Sequence, residues 1–142
     1  MLKNTSDKER SVIEKVKELN FPIGQYVVVA SGTLDALGIR KASDVDIAVL
    51  PELHKKLCEN PEWEQLEKYG KIFLKKEGVD IIPSLDWSEY LTTTEEAIAS
   101  ALIIDGIPFL NLQELKKFKR AMGRDKDFED IKLIDDYLLN KK

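Results

Sequence analysis

An α+β domain, with a mixed β-sheet flanked by helices and a C-terminal helical tail, is the fold this sequence predicts. Three observations lead there. Tyr26 to Ala30 is an unbroken β-branched and aromatic run, the mark of a strand covered on both faces. Asp44 to Leu50 begins by alternating acidic and apolar residues, the period of a strand. Before the first run and after about residue 111, apolar residues recur at helical spacing instead. One domain is expected over residues 1–142, with a sheet core at about 21–90 and a helical tail at about 91–142 packed on it.

The elements follow in order. Asp7 to Leu19 reads as an amphipathic helix with Val12, Ile13, Val16 and Leu19 on one side, stopped by Phe21-Pro22-Ile23-Gly24. After the first strand, Ser31-Gly32-Thr33 breaks the run, and Leu34 to Leu37 starts a short helix. Pro51 opens another helix at its favoured first position, ending near Cys58. Lys71 to Lys75 and Val79 to Ile82 are the next two strands, turning at Lys76-Glu77-Gly78. Ser88 to Ala101 is expected to be helical, with Thr92-Thr93-Thr94-Glu95-Glu96 supplying caps. Ile103 to Leu110, broken by Asp105-Gly106 and Pro108, reads as irregular or as a short edge strand. Asn111 and Glu114 cap a helix that runs to Gly123, and a last helix spans about Asp125 to Leu139.

Composition narrows the function classes. Hydrophobic residues make up 43% of the 142, enough for a packed core and against disorder. With 22 Lys+Arg against 26 Asp+Glu, the formal net charge of −4 disfavours indiscriminate polyanion binding. A single cysteine, Cys58, allows no intrachain disulfide and suits a reducing compartment. The first residues carry no apolar signal core, and the longest apolar runs fall far below bilayer length. A cytoplasmic protein with no membrane partner is expected.

The chemistry concentrates in Ser43-Asp44-Val45-Asp46-Ile47-Ala48-Val49-Leu50. On a strand Asp44 and Asp46 share a face, with Cα atoms roughly 6.6 Å apart. Carboxylates at that spacing can share hard cations about 3.5–4 Å apart; the competing reading is a solvated acidic strand face. Because the acids open the strand rather than end it, the phosphatase arrangement of the haloacid dehalogenase class is disfavoured. Asp80, alone in the apolar segment Gly78-Val79-Asp80-Ile81-Ile82, would join the pair if its strand lies alongside. Upstream, Ser31-Gly32-Thr33 is a turn of small, hydroxyl-bearing residues, where backbone N–H groups and the Ser31 or Thr33 hydroxyl can approach a phosphate. His54 has no companion His or Cys at metal spacing, and Trp63 and Trp87 read as packing residues, with Trp87, after the Asp80 strand, able to line a cleft.

Val29-Ala30-Ser31-Gly32-Thr33, Gly38-Ile39-Arg40 and Ser43-Asp44-Val45-Asp46-Ile47 together resemble the signature of the DNA polymerase β-type nucleotidyltransferase superfamily. That signature is a hydrophobic residue, Gly, then Gly or Ser, a spacer, and two Asp separated and followed by hydrophobic residues. Asp80 falls where the family places a third carboxylate. The run from Leu115 to Ile131, with Lys119 and Gly123-Arg124-Asp125-Lys126-Asp127 ahead of Asp130-Ile131, is similar to the tail of small bacterial and archaeal members. The resemblance covers most of residues 21–139. Ala30 departs from it by standing where the family's first Gly is expected, a position uncomfortable for Ala if φ is positive; alternatively Gly32-Thr33 fills the pair.

The resemblance implies a mixed-sheet nucleotidyltransferase core and transfer of a nucleoside monophosphate from an NTP to a hydroxyl acceptor, releasing pyrophosphate. Asp44, Asp46 and Asp80 would hold two Mg²⁺ ions, and Ser31 with the Gly32 N–H would grip the outgoing phosphates. Lys119 and Lys126 match tail positions that contact phosphate or acceptor. Arg40 either reaches the phosphates or solvates a loop, and Arg124 with Asp127 could form a structural pair. The acceptor is a small molecule, a tRNA end or a protein side chain. With the sheet and tail using nearly all of the chain, a homodimer or a partner protein is expected to complete an open cleft. The alternative is a nucleotidyltransferase-like binding or antitoxin module with little turnover.

Overall fold

The computed structural model describes residues 11–87 and 89–140. The helix expected from Asp7 therefore begins, within these residues, as α1 (Val12–Leu19), where Ser11 and Glu14 form a reciprocal capping box. Then follow β1 (Tyr26–Val29), α2 (Gly32–Ala36), β2 (Val45–Val49), α3 (Pro51–Cys58), β3 (Glu64–Lys68), β4 (Lys71–Lys76) and β5 (Val79–Ile82). After these come α4 (Thr94–Ala99), β6 (Leu102–Ile104), β7 (Ile107–Phe109), α5 (Leu112–Met122) and α6 (Asp125–Asn140). The strands form one sheet in the order β3-β4-β5-β2-β1-β7-β6. It is mixed: β2 with β5 and β1 with β7 run parallel, and the other neighbours antiparallel.

Helices cover both faces, which explains why the central strands are so apolar. On one side, Val28, Val45, Ile47, Val49 and Ile81 pack with Val12 and Val16 of α1 and Leu53 and Leu57 of α3. On the other, Val27, Val29 and Ala48 meet Ala97 of α4, Leu115 of α5 and Ile134 of α6. Strand alternation puts Asp44 and Asp46 on the Ala48 side, beneath the C-terminal helices.

One strand goes beyond the expectations, and two expectations are corrected. β3 is a strand for which no expectation was formed: all five of its residues, Glu64-Gln65-Leu66-Glu67-Lys68, are exposed. A charged edge strand has no buried face and hence no alternation to read. The segment from Ile103 to Leu110 is a β6–β7 hairpin, turned by Asp105-Gly106 with both φ angles positive, at 54° and 81°. The sheet thus reaches Phe109, well past the expected boundary near residue 90. Pro108 is accommodated because the parallel ladder to β1 engages Phe109, one residue beyond it. Of the helix expected over 88–101, whose first residue lies outside the described residues, α4 is the helical part. Glu114 accepts hydrogen bonds from the Tyr90 hydroxyl at 2.7 Å and Thr92 at 2.8 Å, which draws that segment away from helical geometry. The helix starts only after Thr93, whose hydroxyl caps it.

Candidate active site

Parallel pairing of β2 with β5 sets Asp46 directly opposite Asp80, on the same face of the sheet. Neighbouring strands lie about 4.8 Å apart, so the two carboxyls meet. Burial, the charges on Asp80 and Asp44, and a hydrogen bond to Asp80 push the Asp46 pKa up to about 6, against the opposing pull of Lys119. Asp44 is exposed one residue before β2. The backbone leading to it is held from below: Asp35 accepts from the Ala42 N–H at 2.9 Å, and Lys15, itself buried, donates to the Ser43 carbonyl at 3.3 Å. Across the β4–β5 hairpin, Lys75 lies 3.3 Å from Asp80.

Beside the carboxylates lies a compact ionic cluster from α5, α6, the turn between them and the α2–β2 link. Arg40 grips Asp130 with two bonds of 2.7 Å. Lys119 reaches Asp130 at 2.8 Å and Asp127 at 3.6 Å, with all three side chains almost fully buried. Arg124 closes the set on Asp127 at 2.6 Å, the structural pair anticipated from the sequence. Desolvation alone would raise the Asp127 and Asp130 pKa values. The hydrogen bonds from Arg124 to Asp127, and from Arg40 and Lys119 to Asp130, outweigh it and hold both carboxyls below their usual range. Three cations face two carboxylates within this cluster, and Asp35 and Asp46 lie close enough to act on them electrostatically.

Ser31 belongs with the ionic cluster. Its oxygen accepts from Arg40 at 2.8 Å and from Lys119 at 3.3 Å. With both lone pairs engaged, its O–H remains as a donor. Ser31, Arg40, Asp44, Asp46, Lys119 and Lys126 line one cleft of about 540 Å³, within the range of ordinary ligand sites. Lys126 is exposed there and has no ion-pair partner among the described residues. Among solved structures, the chain is similar to an antigenic nucleotidyltransferase-like protein from Paracoccidioides brasiliensis. The two share 14% sequence identity with a TM-score of 0.48, over 94% of this chain and 77% of that one. No family model and no curated protein matches the sequence.

Two of the anticipated phosphate-binding residues do not line the cleft. Thr33 is fully buried and donates its hydroxyl to the Leu110 carbonyl at 2.8 Å, tying α2 to the strand that precedes α5. Gly32 is also buried, and its small size serves packing: a Cβ there would stand 2.5 Å from Cγ1 of Val28. Ala30, at the mouth of the cleft, has φ +57°, the strained alternative raised by the sequence. Lys119 lines the cleft as part of the ionic cluster. His54 does have a neighbour, Cys58, whose Sγ is 3.7 Å from Nε2, but burial and then Glu59 raise the thiol pKa and make it less reactive.

Asp130 stood in the tail motif but was given no role there, and Lys75 was not singled out by the sequence. A two-residue Glu77-Gly78 turn fixes Lys75 opposite Asp80, so the hairpin register contained that contact. Asp130 lies one helical turn after Asp127, but only the tertiary approach of Arg40 reveals its role.

The donor set facing the cleft is all oxygen, which suits a hard divalent cation. Asp46 takes up a proton more readily than an ordinary carboxyl, chiefly because it is buried and then because Asp80 and Asp44 stand beside it. Among the described residues, no group of three His, Cys, Asp or Glu side chains closes to metal-holding geometry. Asp44, Asp46 and Asp80 fit such an ion by chemistry and by face, with Asp44 standing furthest out.

Proposed function

We propose that this chain is a Mg²⁺-dependent nucleotidyltransferase of the DNA polymerase β type, moving a nucleoside monophosphate from an NTP to a hydroxyl acceptor and releasing pyrophosphate. The observation carrying the reading is the register pair Asp46–Asp80, with Asp44 on the same face, opening into a cleft whose other wall is cationic. Mg²⁺ at the three carboxylates would supply charge neutralisation at the transferring phosphorus and ease ionisation of the acceptor hydroxyl. The chain's own residues do the rest. Ser31 donates its proton to a phosphate oxygen, while Lys126 and the cations of the Arg40–Lys119–Arg124 cluster attract the triphosphate. Asp80, steadied by Lys75, faces the acceptor side.

Calorimetric titration with each NTP, with and without MgCl₂, tests this. Mg²⁺-dependent binding is expected, and it should disappear in the Asp44→Asn, Asp46→Asn double variant while the circular dichroism spectrum is retained. Absence of NTP binding in MgCl₂ would overturn the reading. A second reading, a binding or antitoxin module with little turnover, is favoured by the left-handed Ala30 and by the pairing of Arg40 and Lys119 within the protein. Nucleotide binding without pyrophosphate release across a panel of acceptors would select it.

A further inference from the structure

Beyond Asp80 the same face of the sheet runs into a second cavity of about 260 Å³. Ile82 follows Asp80 by two residues on β5, and Phe73 follows from the Lys75–Asp80 pair on β4. Tyr69, Trp87, Phe118 and Met122 complete an apolar, largely aromatic slot. Tyr69 and Trp87 stand at its mouth with ring centroids 6.3 Å apart, and both are exposed. Phe118 lines this slot and the cationic cleft alike, so the two cavities share a wall. Lys71, which donates to Ser84 at 2.7 Å, is the one charged side chain among the described residues lining the slot.

The geometry points to this slot as the seat of the hydroxyl acceptor, and to a small aromatic hydroxyl compound as its class. The inference rests on the nucleotidyl-transfer reading. Across the sheet, the carboxylates stand between the cationic cleft on the Ser31 side and the slot on the β4–β5 side. In an in-line displacement the attacking oxygen enters opposite the leaving group. If pyrophosphate leaves toward Ser31, Arg40 and Lys126, the acceptor enters from the slot. There the acceptor oxygen uses a lone pair to bond the α-phosphorus of the NTP. The bond from that phosphorus to its bridging oxygen breaks, and its electrons leave with pyrophosphate. The hydroxyl proton is released to water. The volume falls below the roughly 300 Å³ lower end of ordinary ligand sites, which suits one or two rings rather than an oligosaccharide or an RNA end. An aromatic lining with Lys71 at its edge attracts flat rings and repels a polycationic amino sugar.

Nuclear magnetic resonance with 2-naphthol as the probe tests this directly. The sequence has two tryptophans: Trp63 is 4% exposed in the core, and Trp87 is 47% exposed at the slot. Titration should shift the Trp87 indole signal and leave that of Trp63 in place, and kanamycin should shift neither. Trp87→Ala and Tyr69→Ala, checked for folding by amide dispersion, should each weaken 2-naphthol binding by about tenfold. Saturating Mg-ATP should leave 2-naphthol bound. Its displacement by ATP would give the slot to the nucleobase and overturn the assignment, as would an unmoved Trp87 signal. Loss of 2-naphthol binding with ATP binding intact sinks the acceptor slot alone. The converse sinks nucleotidyl transfer and leaves the slot as a site for an aromatic hydroxyl compound.

Discussion

Around Lys119 each buried carboxylate is hydrogen-bonded to a cation, whereas Asp46 faces the carboxylates of Asp80 and Asp44, of which, among the described residues, Asp80 alone pairs with a lysine, Lys75. Asp44 and Asp46 of the second group line the same cleft as Arg40, Lys119, Arg124 and Asp130 of the first, whereas Asp80 and Asp127 stand outside its lining. In the first, Asp127 and Asp130 are held below their usual pKa by Arg40, Lys119 and Arg124. In the second, Asp46 is pushed up to about 6 by burial, then by Asp80 and Asp44. The first arrangement joins α5 and α6 to the α2–β2 link and stabilises the fold. The second costs stability at neutral pH and sits where a cation would relieve it. Charge that the protein itself compensates is structural here, and charge that it leaves opposed marks the candidate chemistry.

The largest break in this contrast is expected from Lys119→Ala. It removes the cation shared by two buried carboxylates, leaving Asp130 with Arg40 and Asp127 with Arg124 alone, and should destabilise the fold by about 3 kcal/mol in urea unfolding. Asp130→Asn comes next, at about 2–3 kcal/mol, because Arg40 and Lys119 lose their shared partner. It also changes the pH profile. A carboxyl whose folded pKa is depressed contributes stability that is complete above its unfolded value, about 3.9, and is lost as pH falls through the lower folded value. Unfolding measured from pH 7 down to pH 2.5 should therefore show a shallower acid limb in Asp130→Asn.

Asp46→Asn is expected to act in the opposite direction. Removing one of two opposed carboxylates should stabilise the protein by on the order of 1 kcal/mol at pH 7 in metal-free buffer. A destabilised variant would show that Asp46 belongs with the structural group instead. Ala30→Gly gives the smallest effect, a gain of about 0.5–1 kcal/mol in thermal unfolding from relief of the left-handed φ.

Much of the fold was legible because burial writes itself into residue pattern. β1, β2 and α3 lie where the β-branched run, the alternation and Pro51 put them, and α5 and α6 follow the Asn111 cap and the Gly123 stop. β3 left no trace because all its residues are exposed, and an edge ladder bonds through backbone that any sequence possesses. The early part of the expected 88–101 helix was lost to Glu114, a partner that lies 24 residues from Tyr90. Within the site, the acidic pair and Asp80 could be named in advance, since carboxylates on apolar strands are conspicuous. Thr33 could not be told apart from Ser31: two hydroxyls in one turn look alike until one meets the Leu110 carbonyl and the other meets Arg40 and Lys119.

By itself the sequence determined the α+β class, most element positions and which acids stand on which strand face, because these follow from local periodicity. Tertiary structure alone decided that Asp46 stands opposite Asp80 and that Asp130 neutralises Arg40 and Lys119. It also decided that Phe118 separates the cationic cleft from the aromatic slot. Each of those depends on strand order and helix docking, and such contacts join residues far apart in the chain, whose meeting no local pattern encodes.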